Sequence, residues 1–194
     1  DSLLLHRPDA LMEPEEVAAA FDHLEQAGKV RHFGVSNQNP MMMELLKKAV
    51  KQPLKVNQLQ LSAAFTPSFE AGFHVNMEGQ KAAVRDGSVF KYCRLTDTVI
   101  QAWSVLQHGF FKGNFVGKEE FAALNHVLND LAKKYQVTPT AIALAWVLRY
   151  PGKMQAVIGT TKPQHVLEAG KAAEVTLTRK EWYQIYLAAG NDLP

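Results

Sequence analysis

Polar residues stand within or directly after each of five short apolar runs in this sequence, where they could bind a ligand or take part in catalysis. They are His6, Ser36, Asn37, Gln58, Trp103, Ser104, Gly159, Thr160 and Thr161. His6 is the sharpest candidate, because an imidazole can donate or accept a proton near neutral pH. Each residue also has an ordinary structural explanation, such as turning the chain or satisfying buried backbone groups. Their recurrence at the ends of the runs favours a site.

The apolar runs predict β-strands, and the longer segments between them have helical periodicity. We expect strands over residues 2–5, 30–35, 56–61, 99–104 and 156–158. We expect helices from Pro14 to a stop at Gly28, over residues 41–50, 119–135 and about 139–150, and after Lys162-Pro163 and Thr178. Asn39-Pro40 and Thr138-Pro139 are typical helix starts, and Thr178 with Glu181 forms a capping box. Residues 65–97 have no clear period, so we expect irregular structure with one helix around 77–85.

Strands that alternate with helices predict parallel pairing, since each crossover is long enough to return the chain to the same sheet edge. The fold class is therefore α/β, and both a doubly wound sheet and part of a barrel stay open. No G-x-G-x-x-G follows a strand, so the Rossmann fingerprint is absent. The run from Gly113 to Lys118 is one residue short of a P-loop. In a barrel, the active site lies at the carboxyl ends of the strands, where the polar residues stand.

Composition excludes several other functions. A formal charge of +2 with scattered lysines and arginines argues against a nucleic-acid partner. Cys93 is the only cysteine, so the chain forms no internal disulfide and fits a reducing compartment; we expect a cytoplasmic protein. No apolar run approaches the roughly 18 residues that cross a bilayer. The histidines have no metal-ligand spacing, and Ser104 lacks the G-x-S-x-G setting of a hydrolase nucleophile.

Several segments together resemble successive motifs of the aldo-keto reductases, in family order over nearly the whole chain. They are Leu4-Leu5-His6-Arg7-Pro8-Asp9, the run GKVRHFGVSN from Gly28 to Asn37, Asn57-Gln58, Ala102-Trp103-Ser104 and Gly159-Thr160-Thr161-Lys162-Pro163. The Gly-Lys-Val-Arg segment is the most specific. The chain is most similar to a bacterial branch of poorly characterised reductases with a Trp-Ser pair after the seventh strand. The resemblance implies a (β/α)8 TIM barrel, of which residues 1–194 supply one domain with the C-terminal five βα units.

The resemblance also implies hydride transfer from NADPH to an aldehyde or ketone, and roles for particular residues. His6 falls on the catalytic histidine that orients and polarises the substrate carbonyl. Ser36, Asn37 and Gln58 fall on groups that hydrogen-bond the nicotinamide carboxamide, and Trp103 on the aromatic that stacks on the nicotinamide ring. Ser104 and Leu106 fall where the family contacts the pyrophosphate. The segment that holds the adenosine end contains Gly159, Thr160, Thr161, His165 and Glu168.

The chain departs from the family pattern at two positions in these segments. Val105 replaces the usual proline after Trp-Ser, and His165 replaces the usual arginine toward the 2′-phosphate, so NADH is not excluded. The family's catalytic aspartate, tyrosine and lysine precede its fourth strand, where this chain begins, and no tyrosine here occupies a matching motif. We therefore expect this chain alone not to be a competent reductase, and its edge strands to pair with a missing N-terminal segment or a second copy. The alternative is a non-catalytic cofactor-binding or subunit-interaction module.

Overall fold

A computed structural model describes residues 1–9, 12–69, 88–109 and 112–191. Its five strands form one parallel sheet and follow each other across it in chain order. They are β1 (Ser2–Leu5), β2 (His32–Ser36), β3 (Leu54–Gln60), β4 (Val99–Trp103) and β5 (Met154–Ala156). A doubly wound sheet reverses its strand order at a switch point. This order has no reversal, and it therefore matches consecutive units of a (β/α)8 barrel.

Helices separate the strands, and proline begins most of them. They are α1 (Pro14–Gln26), α2 (Pro40–Lys47), α3 (Ser88–Leu95), α4 (Ala122–Tyr135), α5 (Pro139–Leu148), α6 (Pro163–Gly170) and α7 (Arg179–Ala188). Asn39 and Thr138 cap α2 and α5 through their side chains, and Thr178 with Glu181 forms the predicted capping box of α7. Short 3₁₀ turns precede α4 and follow α6. The predicted sequence of parallel strands and capped helices is confirmed.

Several predicted boundaries are wrong. Strand β2 begins two residues after its predicted start, and β3 begins two residues before its predicted start. Strand β5 ends at Ala156, whereas the prediction placed it over 156–158; Val157 and Ile158 continue past the paired region and are each 37% exposed. Helix α2 stops at Lys47 rather than at Val50. Helix α3 lies inside the stretch predicted to be irregular, and its buried residues Phe90 and Cys93 are one helical turn apart. The helix predicted around 77–85 lies outside the described residues.

One face of the sheet packs against helices. On β2, Phe33 and Val35 join a core cluster with Phe21 of α1 and Met43 and Leu46 of α2. On β3 and β4, the residues of this face join a larger cluster with α3, α4, α5 and α7; they are Leu59, Ile100 and Ala102. The opposite face therefore carries the alternate residues, since successive side chains of a strand point to opposite sides.

The larger cluster is centred on two tryptophans from α5 and α7. The rings of Trp146 and Trp182 are stacked, with centroids 4.8 Å apart and an interplanar angle of 9°. Each indole N–H donates to the other residue's backbone carbonyl, at 3.0 and 3.1 Å. Both polar groups are thus satisfied inside an apolar region, which keeps the cost of burying them low.

Gly34 allows β1, β2 and β3 to approach each other on the face opposite the helices. It pairs with Leu4 on one side and Val56 on the other. A Cβ at this position would lie 2.5 Å from the Val56 carbonyl oxygen and 2.7 Å from a Leu4 methyl. The nearer contact is with backbone, which cannot swing aside, so only glycine fits here.

We predict that Gly34→Ala destabilises the protein by about 1 to 3 kcal/mol, the usual cost of overpacking. Chemical denaturation followed by circular dichroism measures this. Gly170→Ala is the matched control, because a Cβ on Gly170 meets nothing within 4 Å and alanine is the better helix former. Equal stability of the two variants would contradict the steric explanation.

Glu181 joins α7 to α4. Burial of its side chain raises its pKa, but hydrogen bonds from Lys134, from the Thr178 backbone and hydroxyl, and from Tyr135 outweigh burial and lower the pKa to about 2. The Lys134 Nζ donates to one carboxylate oxygen at 2.5 Å and the Tyr135 hydroxyl to the other at 2.9 Å. A carboxyl group whose folded pKa is lowered stabilises the fold above its unfolded pKa, and this contribution is lost as the pH falls to the folded pKa.

We predict that Glu181→Gln lowers the free energy of unfolding by on the order of 3 kcal/mol above about pH 5, and that its difference from wild type shrinks toward pH 2. Denaturant unfolding at a series of pH values measures the difference. Glu174→Gln is the control, since Glu174 forms an exposed pair with Lys171, and such pairs contribute little. A difference that stays constant with pH would rule out the carboxylate as its source.

Candidate functional site

A cavity of about 540 Å³ lies at the carboxyl ends of β4 and β5, between α5 and the first turns of α6. Seven of the predicted site residues line it: Trp103, Ser104, Leu106, Gly159, Thr160, His165 and Glu168. Val105, Val157, Ile158 and Leu144 supply apolar surface. These residues are far apart in the sequence, and the parallel pairing of β4 with β5 brings them together. The cavity therefore combines apolar surface with several polar groups that could orient a small molecule.

Two residues at strand ends have left-handed backbone conformations that non-glycine residues rarely adopt. Asn37 (φ 55°) directly follows β2, and Ser104 (φ 53°) directly follows β4. The other non-glycine residues of this kind in the described ranges, Asp97 and Gln136, lie just after helices, where this conformation is a common cap. Backbone strain away from such caps concentrates at functional sites. Here it turns the chain sharply after β2 and after β4, and of these two turns the one at Ser104 borders the cavity.

Three further predicted residues form a hydrogen-bonded group at the ends of β2 and β3. The Ser36 hydroxyl donates to the Gln58 carbonyl at 3.0 Å, and the Asn37 amide nitrogen donates to the Ser36 hydroxyl at 3.0 Å. The Asn37 backbone N–H also donates to the Gln58 carbonyl, at 2.9 Å. The turn after β2 is thus fixed against β3. This fixation places the Asn37 and Gln58 side chains on neighbouring strands at one edge.

His6 and Thr161 are not among the residues that line the cavity. His6 comes one residue after Leu5, which pairs with Val35, so it leaves the same edge of the sheet as Ser36. It is exposed, as is Thr161. The structure thus places His6 next to the group on β2 and β3 and at a distance of several strands from Trp103.

A row of glutamines crosses three strands on the face opposite the helices. Gln58, Gln101 and Gln155 are paired in register on β3, β4 and β5. The Gln58 Nε2 donates to the Gln101 Oε1 at 3.2 Å, and the Gln101 Nε2 donates to the Gln155 Oε1 at 2.7 Å. Our sequence interpretation missed Gln101 and Gln155. The alternation of side chains along a strand could have identified Gln101, because it lies two residues before Trp103 and therefore on the same face of the sheet.

The cavity-lining part of α6 offers donors for an anion. The Lys162 side chain makes no capping hydrogen bond at the start of this helix, and its own backbone N–H donates to the Thr160 hydroxyl at 3.2 Å. The Thr160 hydroxyl also lies 3.4 Å from the His165 Nδ1. The N-terminal end of a helix carries the positive end of the helix dipole, which favours negative charge. A phosphate could therefore bind beside Thr160 and His165, whereas Glu168 lies further along the helix and could accept hydrogen bonds.

Cys93 has no role as a nucleophile. Burial is the main reason that the pKa of its thiol rises to about 11, and a hydrogen bond from Asn57 and the charge of Lys47 offset this only in part. The thiol is therefore un-ionised at neutral pH, and the thiolate is the reactive form. All five tyrosines lie in the described ranges, and none of them lines the cavity. In the described ranges, no group of histidine, cysteine, aspartate and glutamate side chains could hold a metal ion.

A model of the aldo/keto reductase family matches residues 1–188. The chain belongs to the aldo/keto reductase family. The match to the oxidoreductase YdhF of Escherichia coli covers all of this aldo/keto reductase chain at 35% identity. The match to a 6-dehydroglucose reductase of Agrobacterium fabrum also covers all of it, at 34% identity. The chain spans 59% and 58% of the length of these two relatives. The predicted family and its bacterial oxidoreductase branch are confirmed.

Solved aldo-keto reductases have the same fold. One from Klebsiella pneumoniae, in complex with NADPH, superposes with a TM-score of 0.71 at 23% identity, over 95% of this chain and 57% of that one. A thermostable enzyme bound to the inhibitor epalrestat gives a TM-score of 0.72 at 21% identity, over 97% and 59%. This aldo/keto reductase chain thus folds as part of a (β/α)8 TIM barrel. None of its described helices is both long and apolar enough to span a bilayer.

Proposed function

We propose that the protein reduces aldehydes or ketones to alcohols with a hydride from NADPH, and that this chain forms the cofactor-binding side of the site. One observation carries the proposal: residues from β4, β5 and α6 that are remote in sequence line one cavity at the carboxyl end of the sheet. That end is where barrel enzymes bind their ligands. The family relation and relatives named as oxidoreductases agree with it.

The residues present fit a nicotinamide dinucleotide. Trp103 offers a ring face on the cavity wall, while Ser104 and Thr160 offer hydroxyl groups. Gly159 leaves room for a close approach, since a Cβ there would meet nothing within 4 Å. The positive end of the α6 dipole, with the Thr160 hydroxyl and the His165 ring beside it, suits a phosphate. Such a cofactor supplies the hydride; the protein supplies binding, orientation and electrostatics.

Each predicted residue takes a role in this arrangement. Trp103 stacks against the nicotinamide ring, and Ser36, Asn37 and Gln58 hydrogen-bond its carboxamide. Ser104 and Leu106 contact the pyrophosphate. At the adenosine end, the contacts come from Gly159, Thr160, Thr161, His165 and Glu168. His6 donates a hydrogen bond to the substrate carbonyl oxygen, which polarises the carbonyl as negative charge develops on that oxygen.

The contacts of Trp103 give the first test. We predict that Trp103→Ala weakens NADPH binding by the encoded protein about tenfold or more, because stacking on an aromatic side chain contributes about 1 to 3 kcal/mol. Fluorescence titration measures the affinity. Binding is followed by the change in emission of NADPH itself, so the same readout serves the wild type and the variant. Trp103→Phe keeps a ring and should retain most of the affinity. Wild-type affinity in Trp103→Ala would refute the stacking role.

The position of His6 gives the second test. We predict that, in the full-length encoded protein, His6→Ala lowers kcat for carbonyl reduction about a hundredfold, the usual scale of an acid–base or polarising group, with the Kd for NADPH unchanged within about twofold. NADPH oxidation at 340 nm is measured with a generic aldehyde and with 6-dehydroglucose, on which the 34%-identical relative is named to act. His126→Ala is the control, because His126 is exposed on α4. Full turnover with reduced thermal stability would make His6 a structural residue. NADPH binding without any turnover by the wild type would instead favour a cofactor-binding module.

A further inference from the structure

The glutamine row lies on a face where packing alone does not require amides. Buried or half-buried amides are costly unless they are hydrogen-bonded, and apolar side chains fill most barrel interiors. Gln58 and Gln101 are half-buried, and Gln155 is exposed at the edge of the described sheet. Strand register puts the three side chains directly opposite each other. We call these three residues the amide ladder.

The amide ladder has a direction. Each Nε2 donates toward β5, from Gln58 to Gln101 and from Gln101 to Gln155. The Gln58 nitrogen is therefore committed to the ladder. Among the described residues, nothing donates to the Gln58 Oε1. Gln58 consequently presents its side-chain oxygen as a hydrogen-bond acceptor.

We propose that Gln101 and Gln155 are positioning residues that set which end of the Gln58 amide meets the cofactor. The inference rests on the proposed function, in which Gln58 binds the nicotinamide carboxamide. A carboxamide has an NH₂ donor, and a fixed acceptor on Gln58 matches it. An amide without such restraint could rotate and present either its oxygen or its NH₂. Through the amide ladder, Gln155 on β5 therefore determines that Gln58, two strands away, presents its side-chain oxygen.

Changes at Gln155 can preserve or reverse the ladder without replacing any residue that is proposed to contact the cofactor. In Gln155→Glu, the carboxylate still accepts from the Gln101 Nε2, so the direction is retained. In Gln155→Lys, the ammonium only donates. The Gln101 amide must then turn its oxygen toward β5 and its nitrogen toward Gln58, and Gln58 must turn its own nitrogen outward. Circular dichroism and thermal unfolding verify that both variants fold, because Gln155 lies on the face opposite the helices, which is the interior of a closed barrel.

The test compares two probes with the encoded protein by calorimetric titration: NADP⁺, and its 3-acetylpyridine analogue, whose acetyl group has a carbonyl acceptor but no N–H. We expect Gln155→Lys to change the ratio of the two Kd values by about fivefold to tenfold in favour of the analogue, on the scale of one hydrogen bond. Gln155→Glu should leave the ratio at the wild-type value or move it toward NADP⁺. Taking a ratio removes the effect of the added charge on a polyanionic ligand, because both probes carry the same phosphates.

The outcomes separate the ladder from the proposed function. Gln58→Ala should abolish the preference between the two probes. If it does so while Gln155→Lys and Gln155→Glu share the wild-type ratio, the ladder is only a structural contact and the inference is wrong, although cofactor binding stands. If the wild type binds neither probe, the proposed function fails and the inference fails with it. A purely structural loss in Gln155→Lys would weaken both probes equally, which also overturns the inference.

Discussion

Parallel pairing of five strands in chain order is the constraint on which the rest of the structure depends. Because every strand runs the same way, every carboxyl end emerges at one edge, and the residue that follows each strand joins the same surface. Helices cover one face, so apolar residues alternate there with residues on the opposite face. The site is thus a direct product of strand direction and side-chain alternation. Gly34 sustains it, since a larger residue would push β1 and β3 away from β2.

Much of this arrangement could be predicted from the sequence. The apolar runs predicted the parallel strands, and Asn39, Thr138 and Thr178 predicted the starts of α2, α5 and α7. The positions after β4 and β5 could be recognised as site residues because they break an apolar run. Their convergence on one cavity could not, since it depends on the register of β4 against β5 and on the direction of α6.

Other features had no local signal. Helix α3 lies in a stretch without clear periodicity, and the packing of its buried residues Phe90 and Cys93 in the core defines it more than sequence propensity does. The left-handed conformation of Ser104 follows from the turn between β4 and the cavity, and serine itself does not favour it. Gln155 went unnoticed because β5 was predicted to begin after it. A two-residue shift in a three-residue strand was enough to hide its pairing with Gln101.

The stacked pair of Trp146 and Trp182 has a consequence for how the molecule absorbs light. Two indole rings 4.8 Å apart, nearly parallel and joined by reciprocal hydrogen bonds, form a rigid chiral arrangement of chromophores. Their transition dipoles couple, and coupled dipoles in fixed geometry give a signed pair of circular-dichroism bands. These bands belong to the contact between α5 and α7, on the helical side of the sheet. The protein therefore carries its own optical marker of core integrity, spatially separate from the third indole beside the cavity.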